Sequence, residues 1–194
     1  AHQWYGELLA AEGKLDAALE QLRLARIADP LAHIMPHDMG WFLMWSDRSD
    51  EAYQYFQESL ELNPNFQNSY RNLAQLQMKQ GHFDSARENV LKSFALMELD
   101  PATDLAIADA MENPALRANV VALVLADKQT ADGTMGKARM LMFLGEPEFA
   151  LDSLERGFEQ GDPSAIHMKR MDLYDPLREN PRFQALLKRM NLSP

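Results

Sequence analysis

Ala18, Ala52 and Ala86 stand 34 residues apart, and so do Asp16, Asp50 and Asp84. Gly6, Gly40 and Ala74 keep the same step, as do Leu22, Phe56 and Val90, and Pro30 is followed by Pro64. Five positions on one period is a pattern that chance rarely produces. A fixed period of this length marks a repeat architecture, in which no unit can bury its apolar face alone and each stacks on its neighbours.

The residue types say what one unit must be. Two antiparallel helices joined by a tight turn account for them. Gly6, Gly40 and Ala74 fall in the middle of the first helix, where a side chain of minimal size lets the second helix approach. Ala18, Ala52 and Ala86 do the same from the facing helix. Gly13 and Gly81 suit the left-handed conformation that ends a helix. The Asp at 16, 50 and 84 is expected at the start of each second helix, where its carboxylate caps free amides and meets the positive end of the helix dipole. Pro30 and Pro64 stop the second helix, because the residue before proline disfavours the α conformation. Leu22, Phe56 and Val90 fill the core between neighbouring units.

These residues resemble the tetratricopeptide-repeat (TPR) family, whose period is 34 residues. The first unit reads Gly6, Leu9, Gly13, Leu15, Ala18, Leu22, Ala25, Pro30. The second reads Gly40, Leu43, Ala52, Phe56, Pro64, and the third Tyr70, Leu73, Ala74, Gly81, Phe83, Ala86, Val90. Two departures stand out: Asp47 replaces the usual turn glycine, and the third closing proline is delayed to Pro101. The resemblance covers residues 1 to about 98. It implies an all-α solenoid of antiparallel helix pairs, wound as a right-handed superhelix, and a protein that binds a protein or peptide without catalysis.

Units are expected at about 1–32, 33–66 and 67–98, within a single solenoid spanning 1–194. A divergent helix pair is expected at 99–130. Its first helix covers roughly 102–111. The second runs from Pro114, capped by Asn113, to about Asp127. Val120, Val121, Leu123, Val124 and Leu125 make this second helix apolar nearly all round, so it should be buried. A fourth unit at 131–164 is indicated by Ala138, Leu141, Gly145, Ala150 and Leu154. Residues 165–194 form a C-terminal cap, with Arg182, Lys188 and Arg189 on the outer face of its amphipathic helix.

The tail from Tyr174 to Met190 looks like the segment that closes TPR regions of bacterial signalling proteins. There the repeats follow a winged-helix DNA-binding, adenylate cyclase or protein kinase domain. That likeness implies a bacterial source, a cytoplasmic setting before a periplasmic one, and a role in signal transduction or transcriptional regulation. The chain starts at Ala1, without an initiator Met and inside the first unit, and so reads as a fragment or a processed chain.

Composition removes several classes of function. Cysteine is absent, which excludes disulfides and thiolate metal sites. The formal net charge of −10 opposes binding to nucleic-acid phosphates and to anionic membrane surfaces. No apolar run approaches the roughly 20 residues of a membrane span. No phosphate-cradling glycine loop, nucleophile elbow or cysteine nucleophile is present, and no cofactor is implied. Asp132-Gly133 and Gly161-Asp162 read as turns. His33 and His37 are four apart, but no Glu stands between them as in a zinc hydrolase, and Pro36 does. They read as exposed entry residues of the second unit, not as metal ligands.

In the TPR family the first helix of each unit lines a concave groove. Transferring that register gives Gln3, Glu7 and Ala10 from the first unit. The second gives His37, Trp41, Met44 and Trp45, and the third Asn68, Arg71, Gln75, Met78 and Lys79. The fourth gives Met135, Arg139 and Met142. Trp41 and Trp45 exceed what the core needs once Leu43 has taken the core position. They are expected to bind a partner's apolar anchors, or else to pack inside the solenoid or against a second copy in a homodimer. Some TPR proteins clamp a partner's terminal carboxylate with basic and Asn side chains. The matching positions here are Gln3, Glu7, Asp38, Asn68 and Asn72, with two acids and no base, which disfavours that ligand.

Overall fold

The protein is described by a computed structural model covering residues 1–46, 48–127 and 133–192. The expectations placed on Asp47, Asp132 and the first residues of the fourth unit lie outside the described residues. Eleven α-helices and three short 3-10 helices, with no strand, make up the described residues. The chain divides into two units, Ala1–Pro101 and Ala102–Pro194.

The first unit holds three helix pairs. They are α1 (His2–Ala11) with α2 (Leu15–Ala28), α3 (Ile34–Met44) with α4 (Ser49–Leu62), and α5 (Gln67–Gln80) with α6 (Phe83–Met97). Each second helix also packs on the next first helix, α2 on α3 and α4 on α5. The repeating small residues set how close the helices come. A Cβ added at Gly40 would lie 2.9 Å from the Phe56 ring and 3.1 Å from the Ala52 carbonyl. Ala18, Ala52 and Ala86 are fully buried, as are Leu22 and Phe56. A buried Leu or Phe of this kind contributes about 1.5–3 kcal/mol.

The helix ends follow the sequence with one correction. Gly13 and Gly81 take φ of +80° and +77°. Asp29 and Asn63, each before a proline, leave the helical region at ψ of 88° and 92°. The aspartates at 16, 50 and 84 lie one residue inside α2, α4 and α6, whose capping residues Lys14, Arg48 and His82 make no side-chain cap hydrogen bond. The acids therefore act on the helix dipole from the first turn rather than as caps. Asp16 and Asp84 also accept hydrogen bonds from Arg48 and Arg87, at 3.2 and 3.1 Å.

The second unit contains α7 (Ala102–Glu112), a 3-10 turn over Pro114–Leu116, α8 (Arg117–Ala126), α9 (Gly133–Phe143) and α10 (Pro147–Glu159). Asn113 Oδ1 accepts from the Ala115 amide at 3.2 Å, so the expected cap forms. It opens the 3-10 turn, however, and α8 starts three residues later. Only one face of α8 is closed: Val120, Val121 and Val124 are buried, while Leu123 and Leu125 are exposed. The expectation of all-round burial fails because α8 has neighbours, α7 and α9, on part of its circumference only.

α9 and α10 pair through Ala138, Leu141, Ala150 and Leu154, all fully buried. Two 3-10 segments, Pro163–His167 and Asp172–Leu177, lead to α11 (Pro181–Arg189). Phe183, Leu186 and Leu187 bury the inner face of α11, and Arg182 reaches Asp152 and Glu155 on α10. No helix of the described residues is long and apolar enough to cross a membrane.

Candidate interaction surface

The 34-residue step places equivalent side chains in columns across α1, α3 and α5. One column is Gln3, His37 and Arg71, and the next is Glu7, Trp41 and Gln75. A third is Ala10, Met44 and Met78, and a fourth is Ala11, Trp45 and Lys79. Neighbouring first helices are tied by direct bonds. Gln3 Nε2 donates to Asp38 Oδ2 at 2.8 Å, and Lys79 Nζ donates to the Met44 carbonyl at 3.1 Å. That carbonyl belongs to the last turn of α3, where intrahelical donors run out.

The candidate set divides by exposure. Trp41, Asn68, Arg71 and Gln75 are half-buried, Lys79 is exposed, and all five keep contact with water. His37, Met44 and Met78 are buried, and Trp45 is 1% exposed. These four pack inside the first unit, because α2, α4 and α5 surround α3 and close it along most of its length. Arg71 Nη2 donates to Asn68 Oδ1 at 3.0 Å, which ties two members of the set together on α5. Arg139 lies in the second unit, half-buried on α9. It is one of the charges that hold His167 well below the usual imidazole range, after burial and Arg170.

His37 is a core residue, which corrects its expected exposure. Its Nδ1 lies 3.0 Å from Ser69 Oγ, which donates to Ser59 Oγ at 2.9 Å. Ser59 in turn donates to the His33 carbonyl at 2.9 Å. Because the Ser69 hydroxyl proton is used on Ser59, His37 Nδ1–H is the donor to Ser69. The imidazole also sits edge-on to Phe66 at 4.9 Å. Burial, then the charges of Arg71 and His33, pull its pKa down to about 3. His33 packs against Phe66 at 4.6 Å. Among the described residues no group of three or more His, Asp or Glu side chains could hold a metal ion.

Asp38 was legible only as a poor clamp residue. It is 8% exposed, and burial pushes its pKa up to about 7, with the Glu7 charge adding and the Gln3 bond opposing. The wall therefore has a polarity. Acids stand at its α1–α3 end, through Glu7 and Asp38, and cations at its α5 end, through Arg71 and Lys79. A hollow of about 550 Å³ in this unit is lined by Asp50, Tyr53, Gln54, Gln77, Gln80, His82 and Ser85, away from these columns.

The tetratricopeptide-repeat family model matches residues 46–90. The peroxisomal targeting signal receptor of Kluyveromyces lactis is 30% identical over 95 residues, and that of Candida glabrata 28% identical over the same length. Each alignment covers 49% of this chain but only 17% and 16% of the respective receptor. Among solved structures, the P58(IPK) TPR domain aligns over 97% of this chain and 58% of its own, at 18% identity and a TM-score of 0.49. The 34-residue step and the paired helices of the first unit, with the family match over residues 46–90, are those of a tetratricopeptide-repeat helix-pair fold.

Proposed function

We propose that the first unit binds an extended or helical segment of another protein along the wall formed by α1, α3 and α5. The observation that carries this reading is the water-accessible row of half-buried Trp41, Arg71 and Gln75 with exposed Lys79. These side chains are large, keep contact with water and stand in register on successive helices. Trp and Arg are the residue types that most often anchor interfaces. Trp41 supplies the apolar anchor, while Arg71 and Gln75 fix polar groups of the segment. The wall's polarity orients the ligand, with its cationic groups toward Glu7 and its anionic groups toward Arg71 and Lys79. A row of side chains spread over successive helices suits a polypeptide segment better than a small molecule. The partial relatives in K. lactis and C. glabrata are receptors of a targeting signal, in keeping with recognition of a protein segment. The role is binding and not catalysis. The test is selection of peptides on the intact chain, followed by titration of the selected peptides against Trp41→Ala and Gln75→Ala. Both variants should weaken binding, and undiminished affinity in both would sink the reading.

A second reading places these repeats as the regulatory half of a signalling protein. It is favoured by the tail, where Asn180 caps α11 and donates to Glu148, and Tyr174 packs on Phe183. The full-length gene product decides it: an output domain on the same chain supports this reading, and its absence rejects it.

A further inference from the structure

The 34-residue register allows the two steps inside the first unit, where one helix pair meets the next, to be set against each other. At the first step Leu19 on α2 and Leu43 on α3 are closed from water. Arg48, just ahead of α4, straps that step. It donates to Asp16 at 3.2 Å and to the two oxygens of Glu51 at 2.6 and 2.7 Å. At the second step Tyr53 and Gln77 stand in place of Leu19 and Leu43, and His82 and Ser85 in place of Arg48 and Glu51. An apolar pair has become a phenol and an amide, and the guanidinium that ties Asp16 has no counterpart at its equivalent, Asp50. Each step has a complete helix pair on both sides, so the contrast is one of residue type. At the second step lies the hollow of about 550 Å³, between α4, the last turn of α5 and the start of α6. Gln77 is 7% exposed, and its Oε1 accepts from Asn89 Nδ2 at 2.8 Å. That bond leaves both Nε2 hydrogens for the hollow. A buried amide where a leucine serves one step earlier costs stability unless a partner bonds it.

We propose that this hollow binds a small uncharged ligand rich in hydroxyl groups, of the sugar or polyol class. The amides of Gln54, Gln77 and Gln80 and the hydroxyls of Tyr53 and Ser85 line it. They offer donors and acceptors side by side, and a hydroxyl group meets both because it donates and accepts. Tyr53 is half-buried and adds an apolar ring for the C–H face of such a ligand. Among the described residues that line the hollow there is no Lys or Arg, and Asp50 carries a carboxylate. Phosphates and carboxylates are therefore rejected by repulsion. The volume falls within the range of about 300–1,000 Å³ usual for small-molecule sites. The hollow is separate from the wall of Trp41, Arg71 and Gln75, and its ligand binds whether or not a peptide docks there.

Proton–nitrogen NMR spectra of the 194-residue chain, read at the side-chain amide of Gln77, test the site. The probes are a set of hexoses, pentoses, hexitols and disaccharides, with inorganic phosphate and putrescine as charged controls. At least one neutral probe should shift the Gln77 amide, with an affinity that does not change with salt. Gln77→Leu and Tyr53→Leu restore the residue types of the first step. Each should weaken that probe, followed by calorimetry, by at least about tenfold. Gln77→Leu should also keep or raise the melting temperature, which separates loss of the ligand from loss of the fold. Ser85→Ala, on the exposed rim, carries the same comparison without touching the core. Binding by none of the neutral probes, or undiminished affinity in all three variants, would overturn the proposal. So would preferred, salt-sensitive binding of putrescine, which would make Asp50 the anchor of a cation.

Discussion

Asp38 carries the clearest electrostatic consequence of a single residue. Its folded pKa of about 7 lies above the ordinary carboxylate value of 3.8, so the folded state holds a proton that the unfolded state has released. The stability that Asp38 contributes is therefore fully present below pH 3.8, falls as pH rises toward 7, and then levels. The cost is about 1.4 kcal/mol for each pH unit in that window. Asp38→Asn keeps an acceptor for Gln3 and removes the charge. It should raise the melting temperature more at pH 8 than at pH 4, and equal gains would contradict the burial cost. His37 has the opposite sign, since its contribution is lost as pH falls from 6.5 toward about 3. In the second unit Tyr174 is fully buried, and its hydroxyl has no hydrogen-bond partner among the described residues. Tyr174→Phe removes an unpaired polar group and should be neutral or stabilise by about 1–3 kcal/mol in chemical denaturation. Neither burial was legible beforehand. The period places Asp38 along the chain and Tyr174 lies in the cap beyond the repeats, but burial depends on which neighbours close over them.

Among the elements, the pairing of α3 with α4 depends on size at one contact. Ala52 is fully buried where the helix axes approach, and Glu61 is exposed on the same helix. Ala52→Trp should cost about 1–3 kcal/mol or more through overpacking, while Glu61→Trp should be tolerated. Equal melting temperatures for the two variants would contradict the register. This contact was readable in advance, because small residues recurring every 34 positions have a direct steric meaning. Element ends were less readable. Asp16, Asp50 and Asp84 recur as faithfully as the alanines, yet they sit inside the first turn and not at the cap, and recurrence does not distinguish these roles. α8 failed for a related reason. Five aliphatic residues signal burial, but composition does not say how many sides of a helix have neighbours. Leu123 and Leu125 face water despite it.

At the scale of the molecule, the repeat period made the helix-pair class legible from a few residues. The candidate surface was legible in register and not in exposure. Trp41 and Trp45 look alike in sequence, four apart on one helix, but Trp45 is closed into the core while Trp41 keeps a water-facing edge. Trp45 follows the last turn of α3, in the column of Ala11 and Lys79, one turn beyond Trp41. The central claim is that Trp41 serves recognition more than folding. The direct measurement sets two variants side by side, each read by calorimetric titration with a peptide selected on the wild-type chain and by chemical denaturation. Trp41→Ala should weaken binding by about 1–3 kcal/mol. It should also cost less stability than Leu73→Ala, whose fully buried side chain is worth about 2–5 kcal/mol. Unchanged affinity in Trp41→Ala, with a stability loss as large as that of Leu73→Ala, would show the ring to be core and would contradict the account.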